Sequence, residues 1–174
     1  MDSQVLAAMA KWPNVPAVFG WLRLDARGQW WIREARLNHE GMVAFFNRNY
    51  SRDAQGRYYV QNGPQKVFVS LDAAPLVARF ADGRWQTLPC DDDVQARAAF
   101  MTDDGQLFIE IAGELAVVDD RDLAGIAAAG LPGWEGDVAQ LPDTLQLAGH
   151  TLPLSRHSLA ALWQRYGVVA RPHA

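Results

Sequence analysis

The stretch YYVQNGPQKVFV, residues 58 to 69, sets the topology of the N-terminal half. Two runs rich in β-branched and aromatic residues flank the polar segment Gln61-Asn62-Gly63-Pro64-Gln65. Asn-Gly between such runs is a strong hairpin signal. Pro64 complicates it. A two-residue turn on Asn62-Gly63 needs an N–H at the next position to bond the Gln61 carbonyl, and proline has none. The residues therefore predict a turn centred on Pro64-Gln65, or a loop of four or five residues. Such a loop frees the side chains of Gln61, Asn62 and Gln65 to bond their own backbone, Arg48 or a ligand.

On either side the same grammar repeats. DARGQWW begins at Asp25, DAQGRYY at Asp53, DGRW at Asp82 and DGQLF at Asp104. Aspartate bonds its own backbone and glycine takes positive φ, so each reverses the chain into a strand. The spacings of 28, 29 and 22 residues are too uneven for a propeller or solenoid. They predict an α+β fold of antiparallel hairpins and meanders packed against a few helices.

Residues 2 to 11 form a helix capped by Asp2 or Ser3, and Pro13 and Pro16 end it. Strands follow at 17–24 and 29–34. Residues 38 to 50 read as a helix capped by Asn38, with Met42, Val43, Phe45, Phe46 and Tyr50 as its apolar stripe. A further strand covers 75–80. The acidic run DDD at 91–93 suggests a boundary between lobes 1–90 and 91–174. Residues 94–101 fit helix or strand. Two strands surround Ala112-Gly113-Glu114, a helix spans 120–130 with Gly130 as its stop, and a hairpin turns at Gly149. A last helix runs from a Ser155 cap to Gly167.

Composition narrows the function. Of 174 residues 49% are hydrophobic and 21% charged, a globular balance. The net charge of −4 argues against nucleic acid or an anionic membrane as partner. Cys90 is the single cysteine, so no internal disulfide forms, which fits a reducing compartment. The N-terminus lacks the pattern of a signal peptide, and no apolar run approaches a membrane span. These features predict a cytoplasmic protein.

No chemistry-bearing motif stands out. The four histidines, His39, His150, His157 and His173, have no close ligand spacing, and no cofactor or metal site is expected. Three aspartates beside Cys90 disfavour a thiolate. Ser155-Arg156-His157 reads as a helix start rather than a dyad. No catalytic residue is assigned.

The binding candidates are Arg48, Tyr50, Gln61, Asn62 and Gln65, a polar set in which Arg48 faces the loop. Seven tryptophans are a high count. Adjacent Trp30 and Trp31 must face opposite sides of a strand. One is core; the other is covered by a helix, a ligand or a partner subunit, which marks the pair as interface candidates and predicts a homodimer.

At KWPNVPAVFGWL (11–22), FFNRNYSRDAQGRYYVQNGPQKVFV (45–69) and DAAPLV (72–77) the chain resembles an uncharacterised proteobacterial family, a domain of unknown function. Its layout is more loosely similar to a second uncharacterised bacterial family with a D-G-x-W hairpin, a helix, a D-G-x-Y strand and a D-A-P segment. The resemblance spans roughly residues 10 to 80. It implies a self-standing N-terminal lobe and no known activity. The functional expectation is a non-enzymatic protein that binds a small molecule or a protein. The alternative is a hydrolase or transferase using scattered residues such as Asp72, Arg156 and His157.

Overall fold

A computed structural model describes residues 1–90 and 95–174. The acidic run 91–93 lies outside the described residues. The chain forms two compact units. The first is Met1–Ala73 with Gly167–Ala174, and the second is Ala74–Tyr166. The division therefore falls at residues 73–74 rather than near 90, because the strands just before residue 90 pair with the second unit's sheet.

The first unit contains α1 (Ser3–Lys11), β1 (Val18–Leu24), β2 (Trp30–Ile32), β3 (Ala35–Arg36), α2 (Glu40–Arg48), β4 (Tyr50–Arg52), β5 (Tyr58–Asn62) and β6 (Gln65–Leu71). Its sheet order is β3-β2-β1-β6-β5-β4. The hairpins are antiparallel as the turn grammar predicts, but β1 and β6 run parallel. The connection through α2 makes this possible, carrying the chain from one edge of the sheet to the other.

The hairpin at the centre is tight. Asn62 pairs with Gln65, leaving only Gly63-Pro64 in the turn. Gly63 has φ +56°, and proline's ring holds its own φ negative. A positive first and negative second residue define a type II′ turn. This corrects the wide-loop expectation. Moving the turn one residue onward places Pro64 where no N–H is needed and leaves the Gln65 N–H at the closing position.

The aspartate turns also resolve. Asp25 Oδ1 accepts from the N–H groups of Arg27 and Gln29, and Asp53 Oδ1 accepts from those of Gln55 and Arg57. Thr102 plays the same part in the second unit, its Oγ1 accepting from the Gln106 N–H. Asp104 is therefore not the counterpart of Asp25. Asp82-Gly83 is a different, two-residue turn with both φ values positive.

Two helix caps of the first unit differ from expectation. The Asp2 carboxylate bonds Arg48 and Asn49 instead of capping α1. His39, not Asn38, caps α2: its Nδ1 accepts from the Met42 N–H. Asn38 instead accepts from Arg36.

The second unit contains β7 (Leu76–Ala81), β8 (Arg84–Leu88), β9 (Ala96–Met101), β10 (Leu107–Ile111), β11 (Glu114–Val118), α3 (Leu123–Gly130), β12 (Thr144–Leu147), β13 (His150–Arg156) and α4 (Leu159–Tyr166). Its sheet order is β12-β13-β9-β10-β11-β7-β8, again mixed, with parallel pairs β7/β11 and β9/β13. Of the ambiguous segment 94–101, Ala96–Met101 form strand β9. Ser155 stays in β13, and Ser158 caps α4 by accepting from the Ala161 N–H. Gly130 closes α3 for a packing reason: a Cβ there would stand 2.6 Å from Leu145 and 2.9 Å from the Gln146 carbonyl.

An ion-pair cluster fastens the start of α3. Arg79 forks onto Asp122 at 2.7 and 2.8 Å, and Arg121 forks onto buried Asp119 at 2.9 and 2.5 Å. Hydrogen bonds from Arg121 outweigh desolvation and hold the Asp119 carboxyl at about 2. Burial and the Glu110 carboxylate, 2.6 Å away, raise the Tyr166 hydroxyl well above its ordinary range.

Candidate functional site

Strand alternation sorts the N-terminal sheet into two faces. One carries Leu22, Trp30, Ile32, Val60, Asn62, Gln65 and Val67 toward α2. The other carries Arg23, Trp31, Tyr59, Gln61, Lys66 and Phe68.

The second face is an aromatic layer covered by cations. The Arg23 guanidinium lies 4.6 Å over the Trp31 ring, its directly paired neighbour, and binds Asp72 at 2.5 Å. Arg57 lies 4.5 Å over Phe68, and Lys66 lies 4.6 Å over Tyr59. Trp31 Nε1 donates to Asp25. The cover over Trp31 thus comes from its own chain. Trp30 is 1% exposed, edge-on to Phe46 and Tyr50, and its indole N–H donates to Asn47. It presents no surface to a second copy.

The first face holds a half-open groove of about 590 Å³ between α2 and the sheet. Val18, Leu22, Ile32, Val60 and Val67 form the floor, and Met42, Phe45 and Phe46 form the helical wall. A bulge shapes its mouth. β1 advances from Val18 to Leu22 while β6 advances only from Val67 to Val69. Gly20, at φ +74°, sits within that bulge, and Trp21 beside it is 46% exposed at the groove. Met42 is 40% exposed on the opposite wall. His39, Asn62 and Gln65 are the polar lining residues. Because His39 Nδ1 accepts a hydrogen bond, its neutral ring carries the proton on Nε2.

The five binding candidates separate. Asn62 and Gln65 share the groove's hairpin end, where Gln65 Nε2 donates to the Pro16 carbonyl. Gln61 points to the other face, is 1% exposed, and donates from Nε2 to the Gly63 carbonyl while its Oε1 has no partner. Arg48 pairs with Asp2 at 3.1 Å rather than facing the hairpin. Tyr50 is buried, stacked on Tyr58.

Sequence reasoning missed Trp21 and His39 as lining residues. Met42 and Phe45 were visible as an apolar stripe. The bulge that leaves part of that stripe uncovered has only Gly20 as its trace.

The residues of the enzymatic alternative have other engagements. Asp72 binds Arg23 and Arg171, Arg156 binds Asp103, and His157 Nε2 lies 3.1 Å from Ser155 Oγ. Among the described residues no group of three or more His, Cys, Asp or Glu side chains is placed to hold a metal, and no helix is long and apolar enough to cross a membrane.

Residues 1–173 match the model of family DUF2944, described as "Protein of unknown function (DUF2946)". Two solved structures are similar. One is a DUF1285 family protein from Silicibacter pomeroyi DSS-3, 18% identical with a TM-score of 0.51, covering 88% of this chain and 95% of that one. The other is a DUF1285 family protein from Shewanella baltica OS155, 16% identical with a TM-score of 0.46, covering 62% of this chain and 91% of that one. The first likeness is one of fold. No curated protein matches the chain.

Proposed function

The chain belongs to the DUF2944 family of proteins of unknown function, and from that premise we propose that its N-terminal unit is a non-enzymatic binding module for a small, largely apolar molecule. One observation carries this reading: the groove of about 590 Å³ between α2 and the sheet, with Trp21 and Met42 left exposed at its mouth. That volume lies in the range of small-molecule sites, as does an apolar lining with a few polar groups at one end. Asn62 and Gln65 are the polar groups that would orient an occupant. Arg48, Tyr50 and Gln61 support the scaffold instead.

The test is titration with N-phenyl-1-naphthylamine, a neutral dye that fluoresces in apolar sites. The wild type enhances its emission, and Val67→Trp, which fills the floor, weakens binding by about tenfold or more. A flat wild-type titration rejects the reading.

A second reading is a cytoplasmic homodimer. Leu6, Trp12 and Val15 in the N-terminal segment are exposed, and such residues suit a partner surface. Sedimentation as a monomer at tens of micromolar, the range of modest interfaces, rejects it.

A further inference from the structure

We propose that the groove takes an amphiphilic carboxylate, its apolar tail between α2 and the sheet and its head group held by Arg33. This rests on the groove reading above and adds the chemistry of the occupant. Among the lining residues there is no Asp, Glu, Lys or Arg, so nothing in the trough compensates a buried charge. A charged head must therefore stay at the rim.

The rim supplies a matching group. Arg33 follows Ile32, a floor residue, and its guanidinium carbon lies 3.9 Å from the centre of the Trp21 ring. Its backbone N–H donates to the Trp21 carbonyl at 2.8 Å, which fixes the loop against the bulge. The exposed carboxylates of Glu34 and Glu40 flank this rim in sequence, and neither pairs with Arg33.

Stacking uses only the flat face of a guanidinium. The N–H groups on its edge remain available, and they fit the two oxygens of a carboxylate. The indole under the guanidinium is continuous with the apolar lining. A carboxylate bound at the edge would thus lead its tail over Trp21 into the trough. Arg23 and Arg57 also cover aromatic rings, but each binds an aspartate of its own chain. Arg33 does not.

The experiment is displacement of N-phenyl-1-naphthylamine from the full chain by four probes with one tail: dodecanoate and dodecyltrimethylammonium below their micelle concentrations, and dodecanol and dodecanamide below their solubility limits. Dodecanoate should displace the dye about tenfold more effectively than dodecanol or dodecanamide, with the cation weakest. In Arg33→Gln the advantage of dodecanoate over dodecanol should vanish, and Arg33→Lys should restore part of it. Equal displacement by dodecanol, or an advantage that survives in Arg33→Gln, overturns the inference and leaves the groove reading intact. Failure of the dye to bind the wild type overturns both.

Discussion

Asn62 and Gln65 stand directly opposite each other across the Gly63-Pro64 turn, on the face that carries Val60 and Val67. That register makes them groove residues. A turn placed one residue differently would exchange the faces of each strand's side chains, because side chains alternate with period two. Gln61 would then line the groove, and the amides would lie among the cation-covered aromatics.

Gly56 and Gly105 occupy the same place in the Asp53 and Thr102 turns, with φ of +80° and +82°. A Cβ at Gly56 would stand 1.8 Å from the Gly167 carbonyl oxygen, whereas nothing lies within 4 Å of one at Gly105. Both alanine variants carry the backbone strain of about 1 kcal/mol. Gly56→Ala should in addition displace the C-terminal segment, whose Val169 N–H donates to the Gly56 carbonyl. Chemical denaturation should show Gly56→Ala the less stable by about 2 kcal/mol or more. Equal losses would mean that residues 167–174 do not dock on the first unit.

Asn49 and Gln61 are both buried amides, but only one is fully used. Asn49 accepts from the Asp2 N–H and donates to Asp2 and to the Phe45 carbonyl. Gln61 leaves Oε1 unbonded. Asn49→Ala should lose about 2 kcal/mol, since it removes three part-buried hydrogen bonds and takes the acceptor from the Asp2 N–H. Gln61→Met should stay within about 1 kcal/mol of wild type, because it also removes a desolvated acceptor. Urea midpoints compared at constant slope test the contrast.

The Asp119 carboxyl, held at about 2 in the folded protein against an ordinary 3.8, gives acid sensitivity of defined sign. A depressed folded value contributes stability that is present above the ordinary value. It is lost as pH falls from about 4 toward 2. The partner Arg121 is half exposed, so the contribution is on the order of 1 to 2 kcal/mol. Asp119→Asn should lose that amount at neutral pH and flatten the acid limb between pH 4 and 2. An unaltered acid limb would show that other carboxylates set the transition.

Much of the fold was legible because turn chemistry is local. The Asp25 and Asp53 turns and the Ala112-Gly113 and Gly149 reversals read directly from residue type, as did the two strands at 58–69, though not the place of the turn between them. The parallel pairs β1/β6, β7/β11 and β9/β13 did not, since long-range pairing has no local mark. The unit boundary was misplaced because β7 and β8 carry no sign of which sheet they join. For the site, Asn62 and Gln65 were legible as polar hairpin residues. Arg48 was not separable from them, because its partner Asp2 lies 46 residues away. The tryptophan surplus suggested an interface. Arg23, which covers Trp31 from the neighbouring strand, could be assigned only once the register was known.

The most direct measurement of the central claim is an NMR titration with dodecanoate, following side-chain amide, indole and methyl resonances. The groove account predicts that Trp21, Met42, Asn62, Gln65 and Val67 shift together with one saturation curve, while Gln61 on the opposite face stays still. Shifts confined to the second unit, or no saturable shift at these five residues, would contradict it.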